Sequence, residues 1–527
     1  MLDLLIEGAT IVDGSGSPPR IGALAFHEGR LVAVGPNPDE SAIRRLDAEG
    51  LCAAPGFIDI HTHSDLQPFI PEPEPAKVLQ GVTTEIVGNC GYSAAPLNER
   101  SRPMFLAAMQ TLGGAAGVTT DWHDMNSFLA RLEDTPLLCN IGTHVGHGTV
   151  RAAVCGMEDR QPSAAELERM RAEVATALAA GAFGLSSGLI YPPGAYANTE
   201  ELTALADVAA SFRRAYFTHI RDEGHNVLAA LDEALAIGRQ SGAPVHIAHL
   251  KVTGKTNWDK QSEILRRLRT ARAAGQDVTF DQYPYTASST TLITLLPAWS
   301  HAGGISALLA RLGAPDTRAH IVAELRERKP AGAWEDIVVC AVTTLRNQPL
   351  VGRSIAEIAR LRGVDPTDAL INLCHEESGL AGMIQFSMSE ANVAQILTEP
   401  EGGMVASDGL YGGKPHPRAY GTFARVLGRY VREQGVLTLP AAIARMTTRP
   451  ADRLGIRDRG RLAAGTWADV VLFEPNRVRD EATFAEPRRP PSGIHHVFVN
   501  GVAVVAEGRP TGARPGRVLR SYTGRCP

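Results

Sequence analysis

The sequence predicts an α/β fold. The expected architecture is a (β/α)8 TIM-type barrel with a small β-sandwich formed by both chain termini and a helical insertion near the barrel mouth. Three observations predict it. Apolar, β-rich runs alternate with helical patterns through the middle of the chain, as parallel strands with crossover helices do. The two ends share a different texture, short strand-like pieces separated by Gly and Pro turns. Histidine, cysteine and aspartate recur where the apolar runs stop, the end at which a barrel collects its chemistry.

Residues 1–54 supply the pieces "LLIEGATIV", "GALAFHEG" and "RLVAVG", and residues 451–527 supply "RGRLAAGTWADVVLFEP" and "IHHVFVNGVAVVAEGRP". Each set alone has too few strands to bury a face, so the two are expected to combine into one sandwich. Residues 55–450 carry the barrel. Its candidate strands lie in "PGFIDIHTHSD", "GVTTEIVGNCG", "LLCNIGTH", "AFGLSSGL", "AYFTHIRDEG", "PVHIAHLKV", "DVTFDQYPY" and "GMVASDG". Between them run helices such as "SAAELERMRAEVATALAAG", which begins with Ser163 and Glu166 in capping-box spacing and stops at Gly181. The rhythm breaks over about 286–345, around "ISALLARLGAPDTRAHIVAELRERKP". That stretch reads as a helical insertion covering the barrel mouth.

Composition narrows the function classes. The 527 residues are 44% hydrophobic and 21% charged, in the range of soluble globular proteins. The net charge is −5, and short basic patches such as "RRLRTAR" read as wet helix faces, so no nucleic-acid partner is expected. No apolar stretch is long enough to span a bilayer, so no membrane partner is expected either. Cysteines at 52, 90, 139, 155, 340, 374 and 526 form no CxxC pair and are odd in number, which favours a reducing, cytoplasmic setting over a disulfide framework. The sequence specifies no oligomeric state.

The titratable residues at strand ends carry the chemistry. His61 and His63 end the first barrel strand with i, i+2 spacing, which sends both imidazoles to one side. Cys90 ends "TTEIVGNC", His219 ends "AYFTH", His249 ends "PVHIAH" and Asp408 ends "GMVASD". A thiolate with imidazoles and a carboxylate suits Zn²⁺. His246, three residues before His249, is expected on the opposite strand face as a packing or supporting residue. His144 and His147 end another strand-like run and are expected to flank the site.

The motifs resemble a known family. "PGFIDIHTHSD", the late "SDG" and the tail "GRLAAGTWADVVLFEP" resemble the amidohydrolase superfamily. More narrowly, "GNCGYSAAP", "GLSSGLIYPPGAYA", "THIRDEG", "HLKVTGK", "DQYPY" and "HPRAYGTF" resemble the N-acyl-D-amino-acid deacylases, the D-aminoacylases, in order over nearly the whole chain. The resemblance implies a small-molecule substrate, an N-acyl-D-amino acid, and zinc-dependent hydrolysis of its amide. It implies one tight zinc position at Cys90, His219 and His249, and a second, weaker position at His61 and His63. It implies Asp408 as the catalytic aspartate, and Arg418, Lys251, Tyr191, Tyr283 and Ser289 as substrate-binding residues. The rival readings are a cyclic-amide hydrolase of the hydantoinase or dihydroorotase kind, with the same barrel and zinc chemistry, and a non-catalytic scaffold that has lost its metal.

Overall fold

The computed structural model describes residues 1–36, 38, 40–111, 113–328 and 331–521; Cys526 lies outside them. Eight parallel barrel strands run Phe57–Asp59, Val82–Val87, Asn140–Thr143 with its continuation Val145–Gly146, Gly184–Gly188, Ala215–His219, Val245–Ile247, Val278–Gln282 and Gly403–Val405. They pair in chain order. The barrel closes just past the C-terminal ends of its first and last strands. Asp408 N donates to the His61 carbonyl at 2.8 Å, and His63 N donates to the Gly409 carbonyl at 3.1 Å. The seam of the barrel is thus made by the backbone of residues that carry candidate chemistry.

The crossover helices form where the 3.6-residue pattern predicts them. The helix Ala164–Ala180 starts from the Ser163–Glu166 capping box and ends at Gly181 in the left-handed conformation. Its Met170, Val174 and Leu178 pack with Leu202 and Leu205 of the next helix in one large apolar core. Each such fully buried side chain contributes about 1.5–3 kcal/mol.

The β-rich domain draws on both ends of the chain, with nine strands in one continuously hydrogen-bonded sheet. Ile6, Ile11, Leu24 and Phe26 from the N-terminal strands share a core with Val470, Leu472 and Phe498. Val471 and Phe473, on the other face of Val470–Phe473, pack against Phe423, Leu427 and Tyr430 beside the barrel. Burial on both faces explains the unbroken apolar run "VVLF". The tail beyond it returns to the barrel: Ile141 N donates to Arg517 O at 2.9 Å, and Leu519 N donates to Ile141 O at 2.7 Å.

The insertion is longer and less helical than the expected segment at about 286–345. Three antiparallel strands, Ala287–Thr291, Ile337–Ala341 and Gly382–Phe386, pair around the last of them. The helices Ile305–Gly313, Pro315–Arg328, Ile355–Arg362 and Pro366–Glu376 pack on this sheet around Leu308, Ile321, Ile358 and Leu370. The strands escape a periodicity reading because they are short, one is a Ser/Thr run, and their partners lie far along the chain. Among the described residues, no helix is long and apolar enough to cross a membrane.

Candidate metal centre and active site

The strand ends converge on the sulfur of Cys90. His61 Nε2 lies 3.3 Å from Cys90 Sγ, His249 Nε2 3.5 Å and His219 Nδ1 3.8 Å. Two ligand triads share this sulfur, Cys90–His219–His249 and His61–His63–Cys90, each with its donor atoms within 4.8 Å of one another. Tetrahedral zinc, with Zn–S near 2.3 Å and Zn–N of 2.0–2.1 Å, spaces a sulfur and a nitrogen about 3.5 Å apart. The Cys90–His219–His249 spacings match that edge, so the donor set fits the ion in identity and separation.

The backbone is bent to achieve this. Cys90, His249 and Asp408 have φ of +52°, +33° and +47°. Such values are rare in residues other than glycine and cost of order 1–3 kcal/mol each, and three of them gather at one site. Close approach dictates the glycines nearby: a Cβ on Gly188 would stand 2.1 Å from the Cys90 carbonyl oxygen. The turn "GNCG" therefore lies directly on the neighbouring strand.

The left-handed turn at His249 also corrects the expectation for His246. The strand ends at Ile247, so face alternation does not reach His249. Both imidazoles turn toward His61: His246 Nε2 is 2.9 Å from Asp281 Oδ2, which His61 Nδ1 also meets, and the His249 ring lies 5.0 Å from the His61 ring. The supporting role holds; the opposite face does not.

Carboxylates orient the imidazoles from behind. Asp281 Oδ2 lies 3.2 Å from His61 Nδ1, which leaves His61 Nε2 to face Cys90. Glu223 Oε1 lies 3.1 Å from His249 Nδ1, and Glu223 Oε2 lies 3.6 Å from His219 Nε2. A carboxylate on the far nitrogen fixes the tautomer and raises ligand basicity. Burial would raise the Cys90 thiol, yet the His61 and His249 charges and the hydrogen bonds it shares with His219 and His249 outweigh it and hold the thiol well below its ordinary value. A thiolate is the form that binds metal.

Asp408 faces this cluster. Its Oδ1 lies 3.2 Å from His63 Nε2 and 3.5 Å from His61 Nε2, and its Oδ2 lies 2.8 Å from Arg418 Nη1. Burial opposes its ionisation, but the Arg418 charge and the His63 hydrogen bond hold its carboxyl well below the usual range. Arg418 is itself buried, donates to the Ser289 carbonyl at 3.2 Å, and stacks 4.5 Å over the Tyr283 ring. Lys251 bonds Glu223 and lies 2.7 Å from His249 Nδ1. Tyr191 stands edge-on to His219 with centroids 5.2 Å apart. All the expected metal, catalytic and substrate-contacting residues therefore gather at one place, beside a cleft of about 1540 Å³ whose outer wall is the insertion.

The two residues expected to flank the site, His144 and His147, lie apart. His147 Nε2 meets Glu201 at 2.8 Å, in a buried pair with Arg151. His144 packs against Phe217 with centroids 4.0 Å apart, and burial pushes its pKa down to about 3. His416 meets the Ala287 carbonyl at 2.9 Å and accepts from Arg418 N at 3.0 Å, so it braces that arginine.

Sequence reading missed two groups. Glu223 follows His219 by four residues in "THIRDEG", and that spacing was its available signal. The second group is a buried ionic knot: Lys77 Nζ donates to Asp59 at 2.6 Å, Thr62 at 2.7 Å and Glu85 at 2.9 Å, while Asp59 accepts from Ser407 N at 2.9 Å. It ties the histidine-bearing segment to the residue before Asp408, and nothing in the local sequence announces it.

The amidohydrolase family model matches residues 44–505. An N-acyl-D-glutamate deacylase from Alcaligenes xylosoxydans xylosoxydans is 41% identical over 98% of this chain and 96% of its own length. A D-aminoacylase from the same organism is 38% identical over 98% of this chain and 97% of its own length. The crystal structure of N-acyl-D-glutamate deacylase from Bordetella bronchiseptica, complexed with zinc and a phosphonate inhibitor that mimics the tetrahedral intermediate, is 39% identical. It superposes with a TM-score of 0.84, covering 99% of this chain and 100% of the other.

Proposed function

The chain belongs to the amidohydrolase family, and from that premise we propose that it is a zinc-dependent hydrolase of N-acyl-D-amino acids, releasing a carboxylate such as acetate and the free D-amino acid. The observation that carries this reading is one buried thiolate between histidine pairs, faced by an aspartate that an arginine holds. Cys90, His219 and His249 would hold the zinc, and His61 and His63 with the shared sulfur would offer a weaker second position. When bound there, the ion supplies Lewis-acid polarisation of the amide carbonyl and lowers the pKa of water toward neutrality.

The chain's own residues supply the rest. Asp408 takes a proton from the attacking water and passes it to the departing amine, which leaves as a neutral group. His63 and Arg418 steer the carboxylate oxygens for those transfers. Arg418, with Lys251 and Tyr283 beside it, binds the substrate α-carboxylate through its fork of donors. Ser289 and Tyr191 line the way in. A cyclic-amide hydrolase has no α-carboxylate to hold, so the buried Arg418 favours the linear substrate. Cysteines odd in number and without a CxxC pair support a cytoplasmic setting.

Two linked measurements test the reading. Zinc-loaded protein is expected to hydrolyse N-acetyl-D-methionine and to leave the L-enantiomer largely untouched. Arg418→Met should then cost at least about 2 kcal/mol in kcat/KM, the loss of a charge-assisted pair in a closed site. An N-acetyl amine lacking the carboxylate should lose less, only the share that comes through Asp408, which Arg418 also positions. Equal losses on both substrates would make Arg418 a structural residue and remove the support for this substrate class.

A further inference from the structure

We propose that the enzyme selects N-acyl-D-amino acids with uncharged, apolar side chains and discriminates against D-glutamate and D-aspartate, although a relative named for D-glutamate stands among its neighbours. The inference rests on the deacylase reading and specifies the side-chain class at that same site.

The wall of the cleft that starts beside His219 can be traced residue by residue. Tyr191, edge-on to His219, places its hydroxyl 3.2 Å from Thr290 Oγ1. Thr290 lies on the first insertion strand in register with Met383. Met383 belongs to the apolar core of the insertion. Leu295, Leu325, Ile190 and Phe386 also line the cleft. This wall is backed by hydrocarbon.

Charge points the same way. Among the described residues four lysines and arginines line the cleft, Arg221, Lys251, Lys255 and Arg328, and each has an acidic partner. Arg221 is bound by Glu233 at 2.8 Å and by the carbonyls of Ala195 and Ala197. Lys251 is bound by Glu223, Arg328 by Glu324 at 2.7 Å, and Lys255 lies 3.8 Å from Asp336. Asp222, Glu327 and Asp408 line the cleft as well, so carboxylates outnumber these cations six to four. Arg418 is committed to Asp408 and, in the proposed reading, to the α-carboxylate. A second substrate carboxylate would stand beside existing carboxylates, and among the described residues every lysine and arginine lining the cleft already has an acidic partner. A methionine or leucine side chain would instead gain from burial against the wall.

The experiment compares kcat/KM of the zinc-loaded enzyme for N-acetyl-D-methionine, -D-leucine, -D-glutamine and -D-glutamate. Methionine and leucine are expected to exceed glutamate by roughly 10²-fold, with glutamine, the uncharged counterpart in size, between them. A glutamate value within tenfold of methionine, or above it, overturns the inference and leaves the deacylase reading standing. Should no N-acetyl-D-amino acid turn over, the deacylase reading fails. Calorimetric binding of N-acetyl-D-methionine against N-acetyl-D-glutamate then still decides the side-chain class, and tighter binding of glutamate overturns it. Thr290→Lys places a cation on the wall and should narrow the methionine-to-glutamate ratio at least tenfold. If that variant does not fold, Ser288→Lys on the same strand face carries the same test. An unmoved ratio overturns the assignment of this wall.

Discussion

The two sides of the Cys90 sulfur are made of similar residues arranged differently. On one side, His219 and His249 have Glu223 behind them, and Glu223 is held in turn by Lys251. Asp408 comes within 4.8 Å of the His249 donor atom, without the closer contacts it makes to His61 and His63. On the other side, His61 has Asp281 behind it, but Asp408 also stands in front of both His61 and His63, paired to Arg418. A carboxylate behind an imidazole makes that imidazole a better ligand. A carboxylate in front of it, poised by an arginine, is placed to move protons. The difference teaches how one sulfur can serve a tight metal position and a catalytic one together.

The comparison can be broken outright at the shared atom. Cys90→Ala is expected to abolish zinc retention and turnover together, because both sides lose their common ligand. Retained zinc and rate, measured by metal analysis and hydrolysis of N-acetyl-D-methionine, would show that the sulfur is not the hinge of the site. Next in size is the carboxylate in front. Asp408→Asn should keep its zinc and lose roughly 10²–10⁴-fold in kcat, since an amide cannot accept the proton. A near-normal kcat would move the proton transfer to another group. The smallest effect on rate belongs to the carboxylate behind. Glu223→Gln should weaken zinc affinity about 10–100-fold, while the rate at saturating zinc changes least. If it instead cut kcat as deeply as Asp408→Asn at saturating zinc, the two carboxylates would not have separate roles.

The same comparison explains what the sequence disclosed. His61, His63, Cys90, His219, His249 and Asp408 were legible because each is a polar residue ending an apolar run, which packing alone does not explain. Their supports were harder to read. Asp281 opens the "DQYPY" motif but sits within its strand, where nothing local says which histidines it meets, and Glu223 lies in a loop whose partners are only assembled by folding. Lys77 reaches Asp59, Thr62 and Glu85 from the short helical turn that precedes the second strand, a set of contacts that no spacing encodes. The barrel rhythm was visible because each strand and helix repeats a local pattern. The insertion sheet was not, because Ala287–Thr291 gains its strand identity only from Gly382–Phe386, nearly a hundred residues away.

The most direct measurement is a zinc titration of the metal-free protein, followed by hydrolysis of N-acetyl-D-methionine. The account predicts no turnover without metal and a rate that rises with the first equivalent of zinc as the Cys90–His219–His249 position fills. A metal-free protein that already hydrolyses the substrate, or a rate that stays at zero with zinc bound, would contradict it.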